Sequence, residues 1–78
     1  MTMTPSLLDA KGLKCPMPVI KARKMIKTLG AGSRLKIECT DPLAEIDIPH
    51  MVRTDGHTLV DQGQSSGTLW YLIEIGHR

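Results

Sequence analysis

The chain is poor in aromatic side chains: its 78 residues include no Phe, one Trp and one Tyr. Domains that bind single-stranded nucleic acids stack the bases on several aromatic rings, so this composition weighs against that function. No apolar run approaches the roughly 20 residues that cross a bilayer. The segment from Met1 to Ser6 also lacks the basic start and apolar core of a signal peptide. We therefore expect a cytoplasmic protein with no membrane association.

Cysteine is scarce as well, with two residues in the chain. Two cysteines are too few to indicate a disulfide framework, and a reducing compartment favours free thiols. The three histidines, His50, His57 and His77, lie far downstream of Cys15 and show no metal-ligand spacing with the cysteines. We therefore predict no metal site, no Cys-His or Ser-His-Asp catalytic arrangement, and histidines that are exposed or locally hydrogen-bonded.

Charge is balanced overall, at +2, but it is unevenly distributed along the chain. Between Ala10 and Ile37 there are eight basic residues and no acidic one. From Glu38 to Asp61 the sign reverses, with six acidic residues against one arginine. The basic segment is interpreted either as a solvated helix face or as a surface that faces a partner.

The chain length predicts one domain over residues 1–78, with an ordered core at about 7–75. We expect this domain to be a monomer. A short apolar run at Ser6–Asp9 predicts a first strand, and three- and four-residue spacing predicts a helix over Val19–Leu29. Alternation over Arg34–Thr40 predicts a second strand. Strands joined through a helix lie parallel, which brings Cys15 and Cys39 to the same sheet edge.

The second half of the chain predicts a helix and two more strands. The helix runs to about Thr54, with Asp47 as the cap of its regular part and Pro49 as an interruption. The strands and their connecting loop are His57–Gln62, Thr68–Ile75 and Gly63–Gly67. In the last strand we expect one set of residues to face the helices and Trp70 and Leu72 to face the other side. The helix-facing set is Leu69, Tyr71, Ile73 and Ile75.

Cys15 stands directly before a proline, which predicts an extended conformation just outside the first helix. We therefore expect Cys15 at the N-cap, Pro16 at the first helical position and the Met17 N–H as a donor to the sulfur. The helix dipole and nearby lysines would then lower the pKa of the Cys15 thiol below its ordinary value of about 8.5. Cys39 is in phase with the apolar residues of its strand, so we interpret it as a buried structural cysteine.

The segment Leu8–Pro18, with the sequence LDAKGLKCPMP, resembles the opening motif of the TusA/SirA-like sulfur-carrier family. Supporting resemblances are found at Thr40-Asp41-Pro42, Asp47-Ile48-Pro49 and Gly56-His57. The resemblance extends over roughly Leu7 to Ile75. Within its opening motif the matching positions around the cysteine are Asp9, Gly12, Pro16 and Pro18.

This resemblance implies a two-layer α/β sandwich of order β-α-β-α-β-β, with a mixed four-stranded sheet and two helices on one face. It also implies that Cys15 accepts sulfane sulfur as a persulfide from a cysteine desulfurase or a rhodanese-like donor, and relays it to an acceptor protein. The known routes lead to tRNA 2-thiouridine, to molybdenum-cofactor assembly or to sulfur oxidation. No cofactor is implied besides the transient persulfide, and the protein would be a sulfurtransferase-type carrier rather than a free-standing enzyme.

A partner surface is predicted beside the cysteine. On the first helix Ile20 points away from the buried stripe, and together with Met17 it would form an apolar contact ringed by charge. The basic residues of this surface are Lys14, Lys21 and Lys24.

Two other functions remain open at this point. A regulatory interaction domain that senses redox state differs from a carrier in whether sulfur leaves Cys15. A nucleic-acid-binding module that uses the basic helix is disfavoured by the few aromatics and by the acidic second half, which repels phosphate.

Overall fold

The computed structural model describes residues 4–76, which form two helices and four strands in the predicted order β-α-β-α-β-β. The elements are β1 (Ser6–Ala10), α1 (Met17–Leu29), β2 (Arg34–Cys39), α2 (Ala44–Thr54), β3 (Thr58–Ser65) and β4 (Thr68–Glu74). At 13 and 11 residues, neither helix of the described part is long or apolar enough to span a membrane.

The four strands form one mixed sheet in the order β1-β2-β4-β3. β1 and β2 are parallel, whereas β4 is antiparallel to both of its neighbours, so β4 alone runs against the other strands. The α/β sandwich and the mixed sheet are confirmed. The parallel pairing also places Ala10 opposite Cys39, so the loop after β1 and the loop after β2 leave the sheet at the same edge.

One face of the sheet and the inner sides of the helices make the core. In β2 the buried residues alternate with half-buried Lys36 and Glu38, because successive side chains point to opposite faces. The helices cover only the face to which the buried set points. Thirteen residues form this core: Ala10, Ala22, Ile26, Leu35, Ile37, Cys39, Ala44, Ile48, Met51, Val52, Tyr71, Ile73 and Ile75.

The opposite face of the sheet carries Trp70 and Leu72, as predicted. The Lys36 ammonium lies 5.2 Å from the centroid of the Trp70 ring, a cation–π distance. On the neighbouring strand Gly63 is paired with Trp70, and a Cβ atom at Gly63 would lie 2.6 Å from the indole ring. The indole therefore occupies the space that a side chain at position 63 would need.

The predicted loop at Gly63–Gly67 is wrong. β3 continues to Ser65, and the hairpin turn consists of Ser66 and Gly67 alone. Both turn residues have positive φ, at 51° and 79°, as two-residue turns that match the twist of the strands require.

The predicted start of the second helix is also wrong. α2 begins at Ala44, and Pro49 lies inside it without ending it. The amides of the first turn bond to the carbonyls of Asp41, Pro42 and Leu43 at 3.0 to 3.2 Å, so no side-chain cap at Asp47 is needed. The Asp47 carboxylate is therefore free to bond to another part of the chain.

Candidate functional site

The loop between β1 and α1 carries Cys15 and is fastened to the connection between β2 and α2. The Gly12 N–H donates to the hydroxyl of Thr40 at 2.9 Å, and the Cys15 N–H donates to Asp41 Oδ2 at 2.7 Å. Gly12 has φ of +82°, a left-handed conformation that favours glycine. Residues 12–15 and 40–41 thus form one hydrogen-bonded pair of loop segments at the edge of the sheet.

Asp9 shapes the start of the same loop. Its carboxylate accepts a hydrogen bond from the Lys11 N–H at 3.0 Å and pairs with the Lys11 ammonium at 3.1 Å. These hydrogen bonds from Lys11 lower the pKa of Asp9. The Lys11 ammonium also reaches Glu38 on β2, at 3.1 Å. Of the two residues predicted from the motif, Gly12 therefore belongs to the loop that presents the cysteine, and Asp9, near the end of β1, bonds to the start of that loop.

The Cys15 sulfur does not cap α1. The helix begins at Met17 with Pro16 as its N-cap residue, and no side-chain hydrogen bond caps it. The Met17 N–H donates instead to the carbonyl of Lys14 at 2.9 Å. Pro16 and Pro18 have no N–H to donate. Three predictions are therefore wrong: Cys15 as the N-cap, Pro16 as the first helical residue and the Met17 N–H as a donor to the sulfur.

The partner of the Cys15 sulfur comes from α2. The thiol donates to Asp47 Oδ2, at a sulfur–oxygen distance of 2.5 Å. This hydrogen bond is the main cause that raises the pKa of Cys15, followed by desolvation and by the negative charges of Asp47 and Asp41. The predicted lowering of this pKa is thus wrong. The basic segment surrounds Cys15 in sequence, but the fold places two carboxylates of the acidic segment next to the sulfur.

Two cavities meet at Cys15. One, of about 470 Å³, is bounded by these two loop segments and by Leu43 at the start of α2. The other, of about 340 Å³, is lined by Cys15, Arg23, Asp47 and His50 among others. The exposed cysteine lies between them, open to a molecule that approaches from outside.

His50 is a neighbour of the site that the sequence analysis missed. Its position far downstream led to the prediction that no histidine is near Cys15, whereas α2 brings it to the same cavity. The parallel pairing of the first two strands could have predicted this proximity, because it places the chain after Cys39 beside the loop of Cys15. Nε2 of His50 is 3.4 Å from the Thr54 hydroxyl, and Nδ1 of His57 accepts from the Gly76 N–H at 3.0 Å. His77 lies outside the described residues.

The predicted partner surface is exposed along α1. Met17 and Ile20 retain 40% and 51% of their accessible surface, and the side chains of Lys14, Lys21 and Lys24 are exposed around them. At the start of α2, Leu43 and Ile46 are also exposed, at 53% and 68%. The sequence analysis did not single out this second apolar pair, of which Leu43 lines the larger of the two cavities at Cys15.

Cys39 is completely buried at the end of β2, as predicted from its phase. Burial raises its pKa to about 11, with a smaller effect from the charge of Asp41. Within residues 4–76, no three His, Cys, Asp or Glu side chains are grouped in a way that would hold a metal ion. The site therefore presents a single accessible thiol, flanked by carboxylates.

Comparisons with known proteins identify the relatives of this chain. The family model described as Sulfurtransferase TusA matches residues 6–75. A protein of Pseudomonas putida named Sulfur carrier protein TusA is 41% identical over 68 residues, 87% of this chain and 85% of the relative. Its namesake from Pseudomonas aeruginosa is 41% identical over 68 residues, covering 87% and 86%. A crystal structure of a SirA-like protein from Desulfitobacterium hafniense has a TM-score of 0.80 at 26% identity, covering 91% of this chain and 97% of that one.

Proposed function

Since this chain belongs to the TusA family and is a sulfur carrier, we propose that Cys15 is the residue that carries the sulfur, as a persulfide. The observation that supports this assignment most is the contrast between the two thiols. Cys15 is exposed on a loop between two cavities, whereas Cys39 is completely buried. A protein donor can reach the first thiol without any unfolding of the second strand.

Loading is an exchange between a persulfide and a thiol. The Cys15 thiolate attacks the terminal sulfur of the donor persulfide, a new sulfur–sulfur bond forms on Cys15, and the donor's own sulfur–sulfur bond breaks. The donor leaves as a thiolate and takes up the proton that Cys15 has given up. No electrons are gained or lost overall, so the step needs neither an oxidant nor a cofactor. Delivery repeats the exchange with Cys15 as the leaving thiol.

The donor is a cysteine desulfurase or a rhodanese-like protein in this proposal, and the acceptor is a downstream protein of tRNA 2-thiouridine synthesis, molybdenum-cofactor assembly or sulfur oxidation. We assign the docking of these partners to Lys14, Met17, Ile20, Lys21 and Lys24. An apolar centre with a charged rim is the usual composition of a protein contact. The proposed compartment is the cytoplasm, where thiols remain reduced, and the carrier acts as a monomer that does not bind nucleic acid stably.

Intact-mass measurement tests the proposal. Incubation with a cysteine desulfurase and L-cysteine should add about 32 Da, and a reductant should remove the added mass. Addition of an excess of thiol-containing acceptor should also remove it, with the sulfur found on the acceptor. A mass that stays unchanged would contradict the carrier model. Sulfur that loads but never reaches any acceptor would favour the redox-sensing alternative.

A further inference from the structure

The contact between Cys15 and Asp47 joins two elements that are far apart in sequence. Asp47 lies on α2 and is half-buried, and its Oδ2 accepts the thiol proton of Cys15. Asp41 accepts the backbone N–H of the same cysteine. Two carboxylates therefore act on the sulfur, one by direct contact and one through its charge, although Cys15 belongs to the most basic part of the chain.

Neither of these two carboxylates forms an ion pair with a basic side chain within residues 4–76. The ion pairs there are formed by Asp9, Glu38, Asp55 and Glu74, and none includes Asp41 or Asp47.

The charged groups that face the sulfur come from three elements. Arg23 of α1 lines the same cavity, but two of its nitrogens bind Asp55, at 2.8 and 3.2 Å. His50 of α2 lines the cavity as well, and its Nε2 is near Thr54. Lys14 of the loop is exposed and acts on Asp41 through its charge alone. The local field at the sulfur is consequently negative.

A negative field has a defined effect on a thiol. A carboxylate that accepts the S–H proton stabilises the neutral thiol, whereas the same carboxylate repels the thiolate that would form after proton loss. The raised pKa of Cys15 agrees with this geometry. Since the thiolate is the nucleophile in sulfur exchange, the free protein holds its sulfur in the unreactive form.

We propose that Asp47 is a positioning residue that keeps Cys15 a hydrogen-bonded thiol in the free protein, and that a sulfur donor releases the thiolate by placing a lysine or arginine side chain against Asp47. The inference rests on the proposed role of Cys15 in sulfur transfer. It adds that the matching partner supplies a cation at the transfer site, at a place distinct from the lysine-rich side of α1. An unloaded carrier is then protected from oxidants and alkylating agents until the correct donor docks.

The proton balance of this step is simple. When a cation binds Asp47, the hydrogen bond from the thiol is lost, and the Cys15 proton passes to solvent or to the donor's leaving thiolate. The thiolate then attacks the terminal sulfur as described above. Asp47 itself remains a carboxylate throughout, because it acts by its charge and its position and does not keep the proton.

The pH profile of alkylation tests the first half of the proposal. We would measure the rate of iodoacetamide reaction at Cys15, followed by peptide mass, in the wild type, Asp47→Asn and Glu45→Gln. Glu45 is exposed on the same helix and is not among the groups that shift the pKa of Cys15, so its variant controls for the loss of one negative charge. At about pH 7.5, Asp47→Asn should react about threefold faster or more and show a lower midpoint, while Glu45→Gln matches the wild type. Equal midpoints in all three proteins would overturn the proposal.

The charge of the reagent tests the second half. A cationic methanethiosulfonate should modify wild-type Cys15 faster than an anionic one of similar size. Asp47→Asn should reduce the ratio of the cationic rate to the anionic rate. A wild-type ratio at or below one would overturn the requirement for a cation. If Asp47→Asn fails to fold, as thermal unfolding would show, Asp47→Ser gives the same two measurements without the carboxylate.

These measurements use no sulfur donor, so they separate the two proposals. An unshifted alkylation profile together with normal persulfide loading would overturn the role of Asp47 alone. A shifted profile in a protein that never loads sulfur would leave the thiol under the control of Asp47 but would contradict the proposed function.

Discussion

The backbone N–H of Cys15 donates to Oδ2 of Asp41 across 2.7 Å, and Oδ1 of the same carboxylate accepts the Leu43 N–H at 3.0 Å. One side chain thus fastens the cysteine loop and the entry to α2 to each other. These two hydrogen bonds lower the pKa of Asp41, because they stabilise the charged form.

Replacement of Asp41 by alanine should loosen the loop of Cys15 without unfolding the core. We expect amide hydrogen exchange at Cys15 and Leu43 to become about three- to tenfold faster, and sulfur loading to become slower. Asp61→Ala, at an exposed position on β3, is the matched control. The lowered pKa means that the contribution of Asp41 is complete above its ordinary pKa and is lost as the pH falls through the lowered value. Exchange rates that remain at wild-type values in Asp41→Ala would contradict this role.

The buried thiol of Cys39 should make the fold sensitive to alkali. Its pKa is raised from an ordinary value of 9.0 to about 11, so the unfolded chain loses this proton at a lower pH than the folded one. Stability is therefore complete below the unfolded pKa and is lost as the pH rises towards about 11, by on the order of 2 kcal/mol. Urea titrations at increasing pH measure the slope of the free energy of unfolding against pH. Cys39→Ala should show a smaller slope than the wild type, although Tyr71 and Cys15, whose pKa values are also raised, keep part of it. Identical slopes in both proteins would refute the assignment.

A side chain at position 63 should collide with the indole of Trp70. Gly63→Ala places its Cβ where the ring now lies, 2.6 Å away, and we expect a loss of about 1–3 kcal/mol in the free energy of unfolding. Trp70 is the sole tryptophan, so its fluorescence should change as well. In a Trp70→Leu background the same glycine substitution should cost much less. An equal cost in both backgrounds would show that the ring is not the cause.

The exposed face of α1 should be needed by the donor and not by the fold. Ile20→Glu combined with Lys24→Glu is expected to slow sulfur loading by about tenfold or more, with little change in thermal stability because both side chains are exposed. Lys27→Glu, one turn further along the same helix, is the control for charge. Loading at the wild-type rate in the double variant would remove this face from the docking surface.

Much of the architecture follows from local patterns in the sequence. The alternation of Leu35, Ile37 and Cys39 with polar residues predicts β2, its buried face and the burial of Cys39 itself. The order of strand, helix and strand predicts the parallel pair, and therefore the edge at which Cys15 is found. These features depend on side-chain periodicity and chain connectivity, which a sequence displays directly.

Several of the features that were wrong depend on contacts between residues far apart in sequence. Asp47 is 32 positions from Cys15, and the contact between them depends on how α2 packs beside the cysteine loop. The same packing brings His50 to the cavity. Glycine is typical of loops, yet Gly63 pairs with Trp70 inside the β3–β4 ladder, where the indole ring leaves no room for a side chain. The charges counted along the chain predicted a positive environment at the sulfur. The sign is negative because the packing of α2 brings carboxylates of the acidic segment to Cys15.

The identity of the sulfur-bearing residue is the central claim, and site-resolved mass measurement tests it most directly. After incubation with a cysteine desulfurase and L-cysteine, the wild type, Cys15→Ser and Cys39→Ser would be digested and the peptides compared for an addition of about 32 Da. We expect the added sulfur on the Cys15 peptide of the wild type and of Cys39→Ser, and none in Cys15→Ser. Sulfur that still loads onto Cys15→Ser, or that is found on Cys39 in the folded wild type, would contradict the account.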